Sequence, residues 1–141
     1  MKIVTWNCNG AFRKKFESLD YLNADIYIIQ ECGDPEQSND RLYKNWASNF
    51  LWLGNNKNKG LGVFANKNIL LTPLDWDSTG LELFIPFLVN NEYLFLAVWT
   101  KQSKTSELQY IGQLWKYLQI HQSKLHPSKS IVCGDFNSNA C

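Results

Sequence analysis

The chain has 141 residues, of which 45% are apolar and 19% are charged, a composition typical of one soluble globular domain. A formal net charge of +1 excludes a chain-wide electrostatic attraction for nucleic acid. The segment 101–129 nevertheless holds five lysines against one glutamate, a local charge of +4 that a solvated helix face also explains. No stretch is long and apolar enough to cross a bilayer, and the N-terminus lacks the apolar region of a secretion signal. A cytoplasmic location without membrane contact is therefore predicted.

The first half of the chain predicts strands alternating with helices. Residues Lys2–Asn7 favour a strand, which the turn formers after Asn7 end. Apolar side chains at helical spacing predict a helix over Ala11–Leu22. The continuous apolar run of Asp25–Gln30 predicts a central strand covered on both faces. An acidic first turn with proline predicts a second helix that starts at Asp34 and has a buried side formed by Leu42, Tyr43 and Trp46.

The second half predicts a run of strands around one long helix. The predicted strands are Phe50–Leu53, Leu61–Ala65, Ile69–Leu74, Leu81–Val89, Tyr93–Trp99 and a last one from Ser130. A polar loop spans 54–60, and Pro86 predicts a bulge or an edge position. The long helix begins near Thr105, with Ser106 and Gln109 spaced as a capping box. Its predicted buried face consists of Leu108, Ile111, Leu114, Trp115 and Leu118.

Polar side chains follow three of the predicted strands directly. These stretches are Trp6–Gly10, Ile29–Glu31 and Gly134–Asn137. Open α/β sheets bind ligands at the carboxyl ends of their strands, so we expect Asn7, Glu31, Asp135 and Asn137 to share one edge. Taken singly, each stretch is also explained by an ordinary turn or a solvated strand end. The specificity lies in their combination.

The residue types in these stretches indicate a hard divalent cation. Carboxylate and amide oxygens suit Mg²⁺ or Mn²⁺, and the set contains no imidazole or thiolate. The cysteines are Cys8, Cys32, Cys133 and Cys141, and no pair has the spacing of a zinc site. Without a secretion signal, disulfides are not expected. Cys8 and Cys32 are predicted to be small buried fillers.

The three stretches resemble the endonuclease–exonuclease–phosphatase superfamily, whose members include exonuclease III-like and DNase I-like nucleases. The family shares a W-N-x-N-G-like turn after an early strand, a Q-E strand end and a G-D-F-N turn. Here these are Trp6–Gly10, Gln30–Glu31 and Gly134–Asn137, in the same order, and Gly60–Val63 resembles a glycine-led strand between them. The resemblance implies a four-layer α/β sandwich, in which two facing mixed sheets are covered outside by helices.

The resemblance also implies a role for each matched residue. Glu31 would be the principal ligand of Mg²⁺ or Mn²⁺, and Asn7 would lie beside the metal and help to fix Glu31. Asp135 would orient or deprotonate the attacking water. Asn137 would hold the phosphate and stabilise its developing charge, and Asn9 belongs to the implied substrate-binding set.

The chain departs from the family pattern at two places. Where many members carry a phosphate-contacting His, or an Asn and Tyr, this sequence has Trp99 and Lys101. Lys101 is a candidate phosphate contact, and Trp99 either stacks on a base or, as we favour, lies in the core. The family's terminal Ser-Asp-His-like turn is not matched. His121 and His126 end the long helix and are not expected to be catalytic.

Residues 1–141 are therefore predicted to form one domain of this family that is incomplete at its C-terminus and exposes an apolar sheet face open to association. The predicted function is divalent-metal-dependent cleavage of DNA or RNA, with weak or no turnover from these residues alone. Lys101, Lys104 and the loop 55–59 are the expected phosphate contacts. A phosphomonoesterase, a lipid phosphodiesterase and a degenerate module that binds nucleic acid or a partner remain as alternatives.

Overall fold

The computed structural model describes residues 1–102 and 109–138. Within these ranges the chain forms two four-stranded sheets. The strands are β1 (Ile3–Asn7), β2 (Ile26–Cys32), β3 (Phe50–Asn56), β4 (Lys59–Ala65), β5 (Leu71–Pro73), β6 (Phe84–Val89), β7 (Tyr93–Trp99) and β8 (Ser130–Asp135). The helices are α1 (Arg41–Trp46) and α2 (Ile111–His121), with short 3₁₀ helices at Phe12–Lys14, Phe16–Leu22 and Gln122–Lys124.

Both sheets are mixed, and each has one parallel pair. The first sheet has the order β1-β2-β4-β3, and the second has the order β5-β6-β7-β8. β1 runs parallel to β2, and β7 runs parallel to β8, while the other pairs are antiparallel. The edge strands β1 and β8 contact each other across the two sheets. The carboxyl ends of β1, β2, β7 and β8 consequently meet at one end of the molecule.

The apolar core has three parts, which lie between four layers. The middle part is formed where the two sheets face each other and includes Ile28, Val63, Phe87 and Phe95. The second part of the core lies between the first sheet and its cover of 3₁₀ helices and α1. The third part lies between the second sheet and α2. Burial of one large apolar side chain stabilises a fold by about 1.5–3 kcal/mol. The predicted four-layer α/β sandwich is confirmed.

The central position of β2 explains its continuous apolar sequence. Ile26 and Ile28 face the second sheet, whereas Tyr27 and Ile29 face the outer layer. Successive strand side chains point to opposite faces, so a strand covered on both sides needs apolar residues throughout. The predicted strand and its two-sided burial are confirmed.

The predicted helix over Ala11–Leu22 is wrong in type. Ala11 has a left-handed φ of 52°, and Lys15 leaves the helical region at φ −124°, so the hydrogen bonding restarts and two 3₁₀ helices form. The apolar face is nevertheless as expected, because Phe12 and Phe16 are 1% and 5% exposed.

The predicted helix start at Asp34 is also wrong. Asp34 instead closes a turn in which its Oδ1 accepts from the Glu36 amide. The helix begins at Arg41, where Asp40 is the N-cap and its Oδ1 accepts from the Tyr43 amide at 3.0 Å. Tyr43 is buried as expected, whereas Leu42 is 65% exposed.

Two further predictions in the strand region need correction. The polar segment 54–60 is not a long loop, because β3 and β4 continue through it and leave a tight turn stabilised by a bond from the Asn58 amide to Asn56 Oδ1. Pro86 lies inside β6 and pairs with Leu96 without a bulge. Its carbonyl accepts from the amide of Leu74, just beyond the end of β5. The side of Pro86 that lacks an N–H therefore faces the end of β5, as in an edge strand, and the sheet loses no backbone hydrogen bond there.

The buried face of α2 is rotated from the predicted one. Leu114 is buried as expected, but Ile111 and Trp115 are 45% and 66% exposed. Tyr117 and His121 take the buried positions instead. Thr105, Ser106 and Leu108 lie outside the described residues. No helix in the described part of the chain is long and apolar enough to span a membrane.

Candidate active site

A hydrogen bond joins the two sheets at their carboxyl ends. Asn7, the last residue of β1, donates from Nδ2 to Oδ2 of Asp135, the last residue of β8, at 2.9 Å. The two residues are 128 positions apart in the sequence, and both are half-buried. Two of the predicted site residues are thus in direct contact.

The Asp135 carboxylate is held by a second donor on its other oxygen. The backbone amide of Asn137 donates to Asp135 Oδ1 at 3.0 Å, and the Asn137 side chain donates to the Thr100 carbonyl at 2.6 Å. Gly134 makes this turn possible, because its φ is 146° and a Cβ there would lie 1.9 Å from the Val98 carbonyl oxygen. The turn fixes the carboxylate and leaves one amide hydrogen of the exposed Asn137 side chain for another partner.

Glu31 lies on a bulge at the end of β2, next to β1. The register of β2 against β4 shifts between Gln30 and Cys32, and Glu31 has a left-handed φ of 63°. The amide of Cys8 donates to the Gln30 carbonyl at 3.1 Å, which places Glu31 beside the residue that follows Asn7. The side chain of Glu31 is 19% exposed, and its Oε2 lies 3.5 Å from Lys59 Nζ.

The turn after β1 holds the Asn7 side chain in place. Asn7 Oδ1 accepts from the Asn9 amide at 3.1 Å, so the amide group is bound at both ends. Asn9, Gly10 and Ala11 have φ values of 56°, 78° and 52°. The Asn9 side chain is exposed at this turn, which suits the substrate contact predicted for it.

Four of the ten non-glycine residues that have positive φ in the described part of the chain lie around these strand ends. Asn9, Ala11, Glu31 and Asn137 all have positive φ without being glycine. The left-handed conformation costs an L-residue about 1–2 kcal/mol, less for Asn, and such residues cluster at functional sites. Glu31 and Ala11 have no side chain that offsets this cost locally.

Trp99 and Lys101 end β7 beside the Asp135 turn. Trp99 is 5% exposed and belongs to the core between the sheets, and the Lys101 ammonium lies 4.3 Å from its ring centroid. In this structure the ring is therefore not available to stack on a base, which agrees with the core position that we favoured. Lys101 is exposed and can contact a phosphate. Lys104 lies outside the described residues.

The cysteines next to the site are buried fillers, as predicted. Cys8 and Cys32 are 2% and 0% exposed, and burial raises the pKa of both thiols. Cys8 Sγ lies 3.3 Å from the carbonyl oxygens of Gln30 and Glu31. The thiol thus supports the backbone of the bulge, a role that the sequence does not reveal.

The sequence analysis also missed two residues that support Glu31. Gln30 is 1% exposed, and its Nε2 donates to Thr5 Oγ1 at 3.1 Å across the parallel pair. The sequence predicts Lys59 only as a phosphate contact within the loop 55–59, whereas in the structure it forms an ion pair with Glu31. A signal was present in the sequence, because Lys59 directly precedes the glycine-led strand.

His121 has a structural role away from this site. Its ring is 1% exposed and stacks on Trp76 at 4.9 Å between centroids. The Lys124 ammonium donates to His121 Nδ1 at 3.0 Å, so Nε2 carries the proton that is donated to the Asp77 carbonyl. His121 is the last residue of α2, and Lys101 lies beside the first turn of the same helix. At a rise of about 1.5 Å per residue, the length of the helix places His121 about 15 Å from Lys101.

The donor set fits Mg²⁺ or Mn²⁺ better than a softer metal. Glu31 offers a carboxylate, and Asn7 Oδ1 has a second lone pair beyond its bond to Asn9. Within residues 1–102 and 109–138, no group of three or more His, Cys, Asp or Glu side chains forms a preassembled metal cluster. Mg²⁺ usually takes one or two carboxylates and keeps several waters, so one carboxylate with amide oxygens suffices.

Solved structures with this fold include enzymes that act on nucleic acid. An AP endonuclease from Archaeoglobus fulgidus matches with 17% identity and a TM-score of 0.67, covering 97% of this chain and 57% of that one. TDP2 from Caenorhabditis elegans matches with 14% identity and a TM-score of 0.63, covering 96% and 48%. The 3′ phosphatase NExo from Neisseria, bound to a product DNA hairpin, matches with 16% identity and a TM-score of 0.64, covering 97% and 58%.

The chain thus spans about half to three fifths of the length of these structures, and at such identities the likeness shows the fold alone. The comparison with curated protein sequences finds no match. The sequence profile of the Endonuclease/Exonuclease/phosphatase family matches residues 4–141.

The two facing sheets, with helices outside and polar residues at their strand ends, define an α/β sandwich. This chain belongs to the Endonuclease/Exonuclease/phosphatase family. The resemblance identified from the three strand-end stretches is confirmed.

Proposed function

We propose that this protein hydrolyses phosphodiester bonds of DNA or RNA with the help of Mg²⁺ or Mn²⁺. The observation that carries the proposal is the Asn7–Asp135 hydrogen bond, with Glu31 on the neighbouring strand end. An isolated turn would not need an amide and a carboxylate from opposite sheets to meet. The arrangement instead gathers groups at one edge that would serve as a base, phosphate donors and a cation ligand.

Asp135 is the proposed base for the attacking water. Its two oxygens each accept one hydrogen bond, from Asn7 and from the amide of Asn137, which fixes the carboxylate plane and leaves a lone pair on each oxygen. A general base held in this way contributes about 10²–10⁴-fold to the rate. The reaction would be an in-line attack on phosphorus.

Asn137 and Asn7 are the proposed donors and orienting groups. One amide hydrogen of Asn137 is bound to the Thr100 carbonyl, so the other is oriented in advance and can donate to a phosphate oxygen. Preorganised donors of this kind stabilise charge that develops in the transition state. Asn7 orients Asp135 directly.

Glu31 and Asn7 are the residues that would hold the divalent cation. When bound, the cation would polarise the phosphoryl oxygen and neutralise charge on the leaving group. Glu31 lies on the bulge at this edge, where Cys8 contacts its carbonyl and the neighbouring Gln30 is held by Thr5.

Nucleic acid is the proposed substrate class on two grounds. Lys59 and Lys101 are exposed at the same edge and offer ammonium groups to a phosphate backbone. Among the matched structures, the Neisseria protein is bound to a DNA hairpin, and TDP2 from D. rerio is complexed with a single-strand DNA product. A phosphomonoesterase acting on a nucleic acid end is the second candidate, since the Neisseria protein is described as a 3′ phosphatase.

The test is a cleavage panel run with Mg²⁺, with Mn²⁺ and with a chelator. The substrates are an abasic duplex, a single-stranded oligonucleotide, a 3′-phosphorylated oligonucleotide, an inositol polyphosphate and sphingomyelin. We expect metal-dependent cleavage of at least one nucleic acid, with activity reduced at least about 100-fold in Asp135→Asn and Glu31→Gln. The control is Lys67→Met, which removes an exposed charge beyond the far end of β4.

Hydrolysis of the lipid or the inositol phosphate alone would contradict the proposed substrate class. Nucleic acid binding that neither needs a metal nor changes in Glu31→Gln would favour the non-catalytic module. The cytoplasmic location and the single incomplete domain stay predictions from the sequence.

A further inference from the structure

The ion pair between Glu31 and Lys59 is the only one within the described ranges of the chain. The Lys59 ammonium lies 3.5 Å from Glu31 Oε2, and the lysine side chain is 54% exposed. Exposed ion pairs contribute little to folding stability, so a purely structural role explains the pair poorly. The ion pair is informative because its acidic partner, Glu31, is the proposed metal ligand.

Lys59 reaches Glu31 from the neighbouring strand β4. It is the first residue of β4, and β2 lies between β4 and β1 in the sheet. The Lys59 Cε is 3.6 Å from the point where a Cβ on Gly10 would lie, so the lysine stem also passes over the turn that follows β1. The ammonium therefore lies among the groups that gather at this edge.

Within the described residues, no other lysine or arginine lies within 4 Å of the Glu31 carboxylate, and the nearby Lys15 ammonium is bound to the Cys8 carbonyl at 2.6 Å. A divalent cation on the same carboxylate would repel an ammonium a few ångströms away. Lysine has a flexible four-carbon stem with three rotatable donors, so the ammonium can leave the carboxylate while its backbone stays in the sheet. The nearest new partner in the proposed reaction is a substrate phosphate.

We infer that Lys59 is a positioning residue that holds Glu31 when no divalent cation is bound, is displaced by the cation, and then contacts the substrate phosphate. This inference rests on the proposed function. One lysine thus serves two partners in turn, which couples the two binding events. Such coupling is reciprocal, so nucleic acid should also increase the affinity for the cation.

The first test measures Mn²⁺ binding by calorimetry or by electron paramagnetic resonance, with folding checked by circular dichroism. We expect Lys59→Met to bind Mn²⁺ about two- to fivefold more tightly than the unaltered protein, since the competing ion pair is gone. Lys59→Arg keeps the charge and should stay within about twofold. Lys67→Met is the matched control, because Lys67 lies beyond the other end of β4, about 20 Å from Lys59. This distance exceeds the electrostatic screening length of about 10 Å at 0.1 M salt.

The second test measures binding of a phosphorothioate single-stranded oligonucleotide with Mn²⁺ present. Lys59→Met should bind about two- to fivefold more weakly, and its slope of log affinity against log salt should fall by about 0.7, the value for one lost phosphate contact. Tighter metal binding together with weaker nucleic acid binding is the signature. A merely structural lysine would not shift the two affinities in opposite directions.

The outcomes separate this inference from the proposed function. If Glu31→Gln weakens Mn²⁺ binding at least tenfold while Lys59→Met leaves it unchanged or weaker, the inference about Lys59 is wrong and the metal site stands. If Glu31→Gln leaves Mn²⁺ binding unchanged, the metal assignment and the inference both fail.

Discussion

Position 31 should reverse the usual order of stability between glycine and alanine. In an ordinary strand, glycine is less stable than alanine by about 0.5–1 kcal/mol, because it loses more backbone freedom on folding. Glu31 has a φ of 63°, where a side chain costs about 1–2 kcal/mol that glycine avoids. The difference leaves Glu31→Gly more stable than Glu31→Ala by about 0.5–1 kcal/mol. Both variants lose the carboxylate and its ion pair equally, so the comparison isolates the backbone.

This difference is large enough to measure. For a domain of this size, 1 kcal/mol corresponds to a shift in melting temperature of about 3–4 °C, so Glu31→Gly should melt about 2–4 °C above Glu31→Ala. Neither variant should bind Mn²⁺ at the site. The assay is thermal unfolding followed by circular dichroism, with urea unfolding as a second measure. If Glu31→Ala were as stable as Glu31→Gly or more so, the strain at the bulge would be refuted.

Three other variants test the contact between the sheets, the Gly134 turn and the half-buried thiol of Cys133. Asn7→Ala removes the donor to Asp135, so we expect the free energy of unfolding to fall by about 1–2 kcal/mol and the proposed activity to fall at least tenfold. A urea titration measures the first quantity and the cleavage panel measures the second. Unchanged values would contradict the link between the sheets. Gly134→Ala places a Cβ 1.9 Å from the Val98 carbonyl and should cost at least about 2 kcal/mol, so a variant as stable as the parent in urea would exclude this packing. Burial raises the pKa of Cys133 from 9.0 to about 12, so the unfolded chain loses the thiol proton first and stability should fall as the pH rises above 9. Cys133→Ala should make that fall shallower between pH 9 and 11, and an unchanged slope would contradict the thiol's contribution.

The buried strands could be predicted because their sequences record which faces are covered. β2 is apolar at every position of its first half, and both of its faces pack in the core. The edge that carries the candidate site was also predicted, because Asn7 and Glu31 follow the carboxyl ends of predicted strands. That these two strands are parallel neighbours is seen only in the structure. The hydrogen bond from Asn7 to Asp135 was not predicted, since the resemblance implied only that Asn7 would help to fix Glu31, and no local pattern links residues 128 positions apart.

The errors arose where two local signals compete. Asp34 and Asp40 both fit the role of an N-cap, and only the burial of Tyr43 against Phe12 and Phe64 favours the later start. Helical spacing predicts that Trp115 lies in the core, but Tyr117 stacks on Phe84 at 4.3 Å and is buried in its place. Such choices depend on the partner layer, which periodicity within one helix does not specify.

The bulge at Glu31 could not be predicted for a similar reason. It depends on the register between β2 and β4 and on the Cys8 thiol beneath two carbonyls. The same contacts bring Lys59 over Glu31. Long-range register therefore decides which lysine of the polar hairpin lies beside Glu31.

Paramagnetic broadening by Mn²⁺ tests most directly whether these residues surround one cation. In the spectrum of the isotope-labelled protein, substoichiometric Mn²⁺ should broaden the side-chain amide signals of Asn7 and Asn137 and the backbone amide of Glu31. The side-chain amide of Asn49, bound to the Asn66 and Ile69 carbonyls at the opposite end of the sheet, should stay sharp. Uniform broadening, or loss of the Asn49 signal before that of Asn7, would contradict a metal site at the strand ends.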